Sequence, residues 1–159
     1  MTAPALELIT FRLADELFAV EISTVERVLR YQRPTSLPGL PGWIEGVVDY
    51  RERVVPVFTL RMRLGLPAAA PRMETRVIVF QLGDEWVGGV VDAVVEVVTV
   101  SRDQLVPPPA LFRGLPAEYL RGLVRRGDRL LILLDLPQLL GTTERLELER
   151  AIEAAPSHG

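Results

Sequence analysis

The sequence predicts an all-β protein of two small, mostly antiparallel barrels related by an approximate twofold, and three observations carry that expectation. Short runs alternate apolar and polar residues, as half-buried strands require. Asp-Glu and Leu-Pro-Gly stretches between the runs suit tight reversals, and the second half of the chain repeats the pattern of the first.

Composition bounds the rest. A length of 159 residues makes about one ordinary domain, and 48% apolar with 25% charged residues suits a folded chain rather than a disordered one. With no cysteine, disulfides, thiolate chemistry and cysteine zinc sites are excluded, and a reducing compartment fits. No basic leader opens the chain and no window approaches the roughly 18 uncharged residues of a membrane span, so the expected location is the cytoplasm, without direct membrane insertion. A net charge of −3 opposes a sequence-independent grip on nucleic-acid phosphates.

In chain order, Leu6, Leu8 and Thr10 face one way and Ile9, Phe11 and Leu13 the other; with the turn at Ala14-Asp15-Glu16, residues 6–22 read as a β-hairpin. Val25, Val28 and Leu29 recur at three and four residues, which places them on one face of a short helical turn. After two Leu-Pro-Gly turns, the runs 44–48 and 54–60 form a second hairpin with the charged tip Asp49-Tyr50-Arg51-Glu52-Arg53. Pro56 cannot donate to a ladder, so its strand is expected at a sheet edge or at a bulge. Residues 61–64 make one helical turn stopped by Gly65 and Pro67. A connector without apolar periodicity follows to Glu74.

A shift of 69 lays residues 11–17 on 80–86, keeping the Asp-Glu turn, and continues until Val25 and Val28 meet Val94 and Val97. A shift of 76 lays Ile44, Gly46, Val48, Arg53, Leu60, Leu64 and Gly65 on Leu120, Gly122, Val124, Arg129, Leu136, Leu140 and Gly141. The pseudo-repeats therefore span about 6–67 and 75–141, and the difference between the shifts falls on an exposed loop around Pro107-Pro108-Pro109. Each half is about 70 residues, too small to bury much core by itself. Two halves packed together solve that problem and leave a groove where they meet. Residues 143–155 carry Leu148, Ile152 and Ala155 at the spacing of an amphipathic helix.

Catalytic groups are scarce. The single histidine is His158 in the tail, so no Ser-His-Asp or Cys-His arrangement and no metal cluster can be assembled, and no cofactor motif is present. Gly88-Gly89 lies in a strand and opens no helix, which removes a dinucleotide or phosphate loop. The pairs Asp15-Glu16 and Asp84-Glu85 are turn-formers; a carboxylate-pair enzyme is the third-ranked class, tested by whether Asp15 and Glu16 occupy a cleft or a turn. A tandem small-barrel nucleic-acid binder is the rival outside the interaction class, opposed by the charge. What remains is an interaction module.

The stretch GWIEGVVDYRERVVPVFTLRMRLGLP at 42–67 resembles the central signature of CheW-like coupling proteins of bacterial chemotaxis. In that family Gly-Val-Ile-Asn-Leu-Arg-Gly leads into Val-Val-Pro-Val-Ile-Asp-Leu-Arg and a Leu-Gly close, matched here by residues 46–52, 54–61 and 64–65. Further likeness at 11–13, 25–28, 87–92, 94–97, Gly122 and 130–140 extends it over nearly the whole chain as one CheW-like domain. The resemblance implies two SH3-like five-stranded β-barrels and a non-catalytic adaptor between chemoreceptors and a CheA-type histidine kinase. It implies that a groove between the barrels takes the receptor's helical hairpin tip while barrel ends dock on the kinase regulatory domain. By position the receptor groove would comprise Val25, Arg27, Gly46, Arg51, Gly88, Val94 and Val97. Two departures bear on partner choice: Arg27 stands where the family commonly has glutamate, and Asp49-Tyr50-Arg51-Glu52 replaces Asn-Leu-Arg-Gly. Loss of glycine at Glu52 is expected to change that turn's backbone. The alternative within the class is a CheW-like paralogue that binds only receptor or only kinase.

Overall fold

A computed structural model describes residues 4–112 and 114–140. The first half supplies β1 (Ala5–Leu13), β2 (Glu16–Glu21), β3 (Val25–Arg30), β4 (Ile44–Tyr50), β5 (Arg53–Thr59) and the helical turn α1 (Leu60–Arg63). The second supplies β6 (Arg76–Leu82), β7 (Glu85–Val91), β8 (Ala93–Ser101), a small hairpin of β9 (Leu111–Phe112) and β10 (Leu115–Pro116), then β11 (Leu120–Arg126), β12 (Arg129–Leu134) and α2 (Leu136–Leu139). The shift of 76 carries the bounds of α1 onto those of α2 and the start of β4 onto that of β11. The helix expected over 143–155 and the tail with His158 lie outside the described residues.

The strands form two five-stranded sheets, ordered β11-β12-β2-β1-β8 and β3-β6-β7-β5-β4. Neither half folds onto itself. Each sheet takes a hairpin, β1-β2 or β6-β7, from one half and three strands from the other, and each hairpin is joined by a parallel pairing. Leu133 opposite Ala19 in one sheet corresponds to Val57 opposite Gly88 in the other. The sheets curl as SH3-like barrels, each carrying one additional two-bond bridge: Thr35 with Val47 at 2.8 and 2.9 Å, and Val106 with Leu123 at 2.9 and 2.8 Å.

The alternation of β1 divides the core as its sequence predicts. Ile9, Phe11 and Leu13 join Phe18, Phe58, Leu60, Ile78 and Phe80 in a cluster shared by both sheets. Leu6 and Leu8 enter a second cluster with Ala19, Val98, Val124 and Leu131 within one sheet. Phe11 and Phe18 stack at 6.2 Å between centroids, an arrangement that adds to the burial of apolar area.

Two local expectations are corrected. Residues 25–30 are strand, after a 3-10 turn at Ile22–Thr24, rather than helical. The strand of Pro56 lies between β4 and β7 instead of at an edge, and the bulge that was the other option lies on its neighbour β4, at Glu45 opposite Val57 and Phe58; its register with β7 begins at Val57, which leaves proline no ladder position on that side. Glu52 takes the positive φ for which glycine is best suited: Arg51 (φ 50°) and Glu52 (φ 64°) both have the left-handed conformation that a two-residue hairpin turn demands.

Candidate functional site

The valines predicted for the groove sit on two outer strands, Val25 and Val94 at the starts of β3 and β8 and Val97 in the middle of β8. Val25 lies opposite Phe80 and Val28 opposite Ile78, but between them Arg27 lies opposite Val79, so Glu26 is an extra, bulged residue. On β8, Val94 lies opposite Phe11, Glu96 opposite Thr10 and Val97 opposite Ile9, with Val95 as the extra residue. Residues three apart in a regular strand point to opposite faces. One extra residue brings them to the same face. The bulges therefore turn both valine pairs toward the inter-sheet side, and this is why a three-residue spacing here belongs to a strand. Val25, Val28 and Val94 pack half-buried against the cluster shared by both sheets, whereas Val97 is 53% exposed.

Thr10 maintains the β8 bulge. Its hydroxyl, buried within the sheet, donates to the Glu96 carbonyl at 2.9 Å and accepts from the Glu96 N–H at 3.1 Å. Two backbone groups that the bulge removes from the ladder are thereby satisfied.

The charged members lie beside the β3 bulge. Arg27 is exposed. Arg51, on the β4–β5 turn, donates to Glu26 at 3.4 Å and lies 5.4 Å from the Tyr50 ring centroid. The rest of that tip is tied to β7: Tyr50 packs on Trp86 at 5.2 Å, and Arg53 lies over the Trp86 ring at 4.1 Å and donates to the Asp84 carbonyl at 3.0 Å.

The two glycines of the predicted groove offer no side chain and are buried. A Cβ on Gly46 would stand 2.5 Å from the Thr35 carbonyl oxygen, so glycine is what lets residues 34–35 cross β4. A Cβ on Gly88 would stand 2.9 Å from Val77 Cγ1. The structure thus brings Val25, Val94, Arg27 and Arg51 to the two bulged edges with Val97, and sets Gly46 and Gly88 inside the second sheet as packing residues. Val28 belongs with the valines; its sequence signal was the repeat that pairs it with Val97.

Two concave surfaces lie elsewhere. Two adjoining clefts of about 250 and 570 Å³ share Arg61, Thr75 and Asp92 and contain none of the seven predicted residues. Arg61 is fully engaged there, donating from Nε to Asp92 Oδ1 at 2.8 Å, from Nη2 to Asp92 Oδ2, and from Nη1 to the Pro67 carbonyl at 2.8 Å. Asp92 also accepts the Ala14 N–H at 2.8 Å, so it joins α1, the β1–β2 turn and the crossover from β7 to β8. Burial by itself raises the Asp92 pKa, but the hydrogen bonds from Arg61 and Ala14 and the Arg61 charge outweigh it and hold the carboxyl below its ordinary value. The same hydrogen bond raises the pKa of Arg61. Tyr31 donates to Glu45 at 3.2 Å, and its pKa is raised by burial and then by the Glu45 charge. The Arg61–Asp92 pair in this cleft clamps those three elements together.

Asp15 lies in the β1–β2 turn and also lines the cleft of about 570 Å³, whereas Glu16 begins β2 and lines neither cleft, so the two are not brought together as a carboxylate pair. Among the described residues no three His, Cys, Asp or Glu side chains group as a metal site, and no helix is long and apolar enough to cross a membrane.

A family model described as the CheW-like domain matches residues 7–144. A chemotaxis protein CheW of Klebsiella aerogenes is 34% identical over 138 residues, covering 87% of this chain and 83% of that protein. One of Treponema pallidum is 29% identical over 155 residues, covering 89% and 86%. The crystal structure of the scaffolding protein TtCheW from Thermoanaerobacter tengcongensis superposes with a TM-score of 0.80 at 26% identity, covering 91% of each chain. With the family model spanning nearly all of the two-sheet body, the chain belongs to the CheW-like domain family.

Proposed function

We propose that this chain is a cytoplasmic adaptor that couples chemoreceptors to a CheA-type histidine kinase. Its family supports a non-catalytic scaffold role in chemotaxis; the partners and the surfaces they use are the proposal. One observation carries it: Val25, Val28, Val94 and Val97 sit on two repeat-related outer strands at the junction of the sheets, half-buried or exposed. An amphipathic helix docks through such a row of apolar residues. Gly46 and Gly88 shape the sheet beneath, and Arg27 and Arg51 supply polar contacts at its margin, where a guanidinium can bind carboxylate or carbonyl groups. The kinase regulatory domain would engage the barrel ends, away from the valines.

The test measures binding of the purified chain to a receptor hairpin tip and, separately, to the kinase regulatory domain. Val25→Asp, Val97→Asp and Arg51→Glu should each weaken the receptor interaction and leave the kinase interaction intact. Val97, being the most exposed of the four, separates a contact from a folding effect. Variants that fold normally and bind the tip like the unmodified chain would overturn the groove assignment. A chain that binds the tip but no kinase regulatory domain would establish the single-partner alternative.

A further inference from the structure

The two sheets are built on one pattern but filled differently. In the first sheet Leu8, Val98 and Val124 belong to the smaller cluster with Ala19, Leu131 and Leu133, and Leu105 packs against it. Shifts of 69 and 76 put Val77, Leu29 and Val48 at the places of the first three, and Gly88, Val55 and Val57 at the places of the others. Leu105 precedes the Val106–Leu123 bridge as Pro34 precedes the Thr35–Val47 bridge. Four leucines thus become three valines and a proline, and alanine becomes glycine. Leu29 in place of Val98 restores part of the loss, whereas Tyr31, at the place of Val100, turns to Glu45. Interiors are otherwise close-packed. In the second sheet the missing bulk corresponds to a cleft of about 210 Å³ lined by Leu29, Val48, Val77 and Tyr50.

This cleft lies at the seam between β3 and β4, the two edges of that sheet. The Thr35–Val47 bridge shuts one end and the Arg51–Glu26 contact the other. Leu29 lies opposite Val77 and shares its face, and Val48 and Tyr50, two apart on β4, share theirs. Arg30 and Asp49 also line the cleft, but each is one position along from those residues and turns to the other face, which places them at its mouth. Both are exposed, and neither has an ion-pair partner among the described residues.

We propose that this seam binds a free α-amino acid with a small branched aliphatic side chain. The side chain takes the volume that leucines fill in the other sheet, the carboxylate meets Arg30 and the ammonium meets Asp49. Size and charge both select this class. A dry cavity of about 150 Å³ accepts benzene, so 210 Å³ admits an isobutyl group together with its α-carbon. The mouth carries one unpaired charge of each sign, as a zwitterion does, and a guanidinium takes a carboxylate through two parallel hydrogen bonds. The site uses none of the groove valines and stands apart from the adaptor reading.

The probe is free leucine, titrated into the full chain and followed by NMR through the amides of Leu29, Val48, Asp49, Tyr50 and Val77. Two companions each lack one charged group: isocaproate has no ammonium and isoamylamine has no carboxylate. Leucine should bind in the millimolar range, and each companion about fivefold more weakly. Asp49→Asn should erase the advantage over isocaproate and keep that over isoamylamine; Arg30→Gln should do the reverse. Val77→Leu, which installs the residue of the filled sheet, should fold and exclude all three molecules. Leucine that leaves those amides unmoved up to tens of millimolar, or that binds Val77→Leu as tightly as the unmodified chain, overturns the site. Equal affinity for the three molecules, or charge variants that leave both advantages in place, overturns the recognition of an amino acid.

Discussion

Removing the Asp92 carboxylate should cost this protein about 3 kcal/mol, more than any exposed ion pair could. Asp92 and Arg61 side chains are 21% and 15% exposed, so the pair is mostly withdrawn from water. Truncating one partner of a fully buried pair leaves an uncompensated charge and costs about 3–5 kcal/mol. Residual solvent access lowers that, while loss of the acceptor for the Ala14 N–H adds a neutral hydrogen bond of about 1 kcal/mol. Asp92→Ala should therefore lose about 3 kcal/mol in urea denaturation at pH 7, or roughly 6–12 °C of Tm for a domain of this length. The pH dependence gives a second check. Because the folded pKa of Asp92 lies below its ordinary value of 3.8, its ionised form contributes stability that is complete above that value. The contribution disappears as the pH falls through the lowered folded value. The stability gap between the unmodified chain and Asp92→Ala should be flat at neutral pH and shrink in acid. A loss under about 1 kcal/mol at pH 7, or a gap that widens as the pH drops, would refute the clamp.

The hairpin turn offers the opposite sign: Glu52 holds φ 64°, and Glu52→Gly should stabilise by about 1 kcal/mol in the same denaturation assay. Gly46→Ala should destabilise by about 2 kcal/mol, because its Cβ would meet the Thr35 backbone oxygen at 2.5 Å; Gly122→Ala, with Val106 oxygen at 3.2 Å, should cost less. Thr10→Val keeps the shape but leaves the Glu96 N–H and carbonyl without their partner. It should cost about 1–3 kcal/mol, with faster amide exchange confined to residues around Glu96.

The strands, their turns and the internal repeat were legible because alternation and turn chemistry are local. Ile9 and Phe11 on one face and Leu6 and Leu8 on the other follow from a side-chain period of two, and the clusters they join agree. The spacing of Val25 and Val28 was legible too, but its meaning was not. A three-residue recurrence marks a helix or a bulged strand, and only pairing with β6, which skips Glu26, distinguishes them. Thr10 similarly looked like one more alternating residue until its partner 86 positions away was in place.

By itself the sequence determined most of the strands, though not β3, that the second half copies the first, and which hairpin tips differ between the copies. Tertiary structure alone decided that the halves exchange hairpins, that Asp92 receives Arg61, and that the register turns four valines to one side, three of them packed on the shared core. The physical reason is range: strand periodicity is written in neighbouring residues, whereas either half's hairpin presents the same apolar pattern to either sheet. The choice between them is made by connections and contacts between segments far apart in the chain.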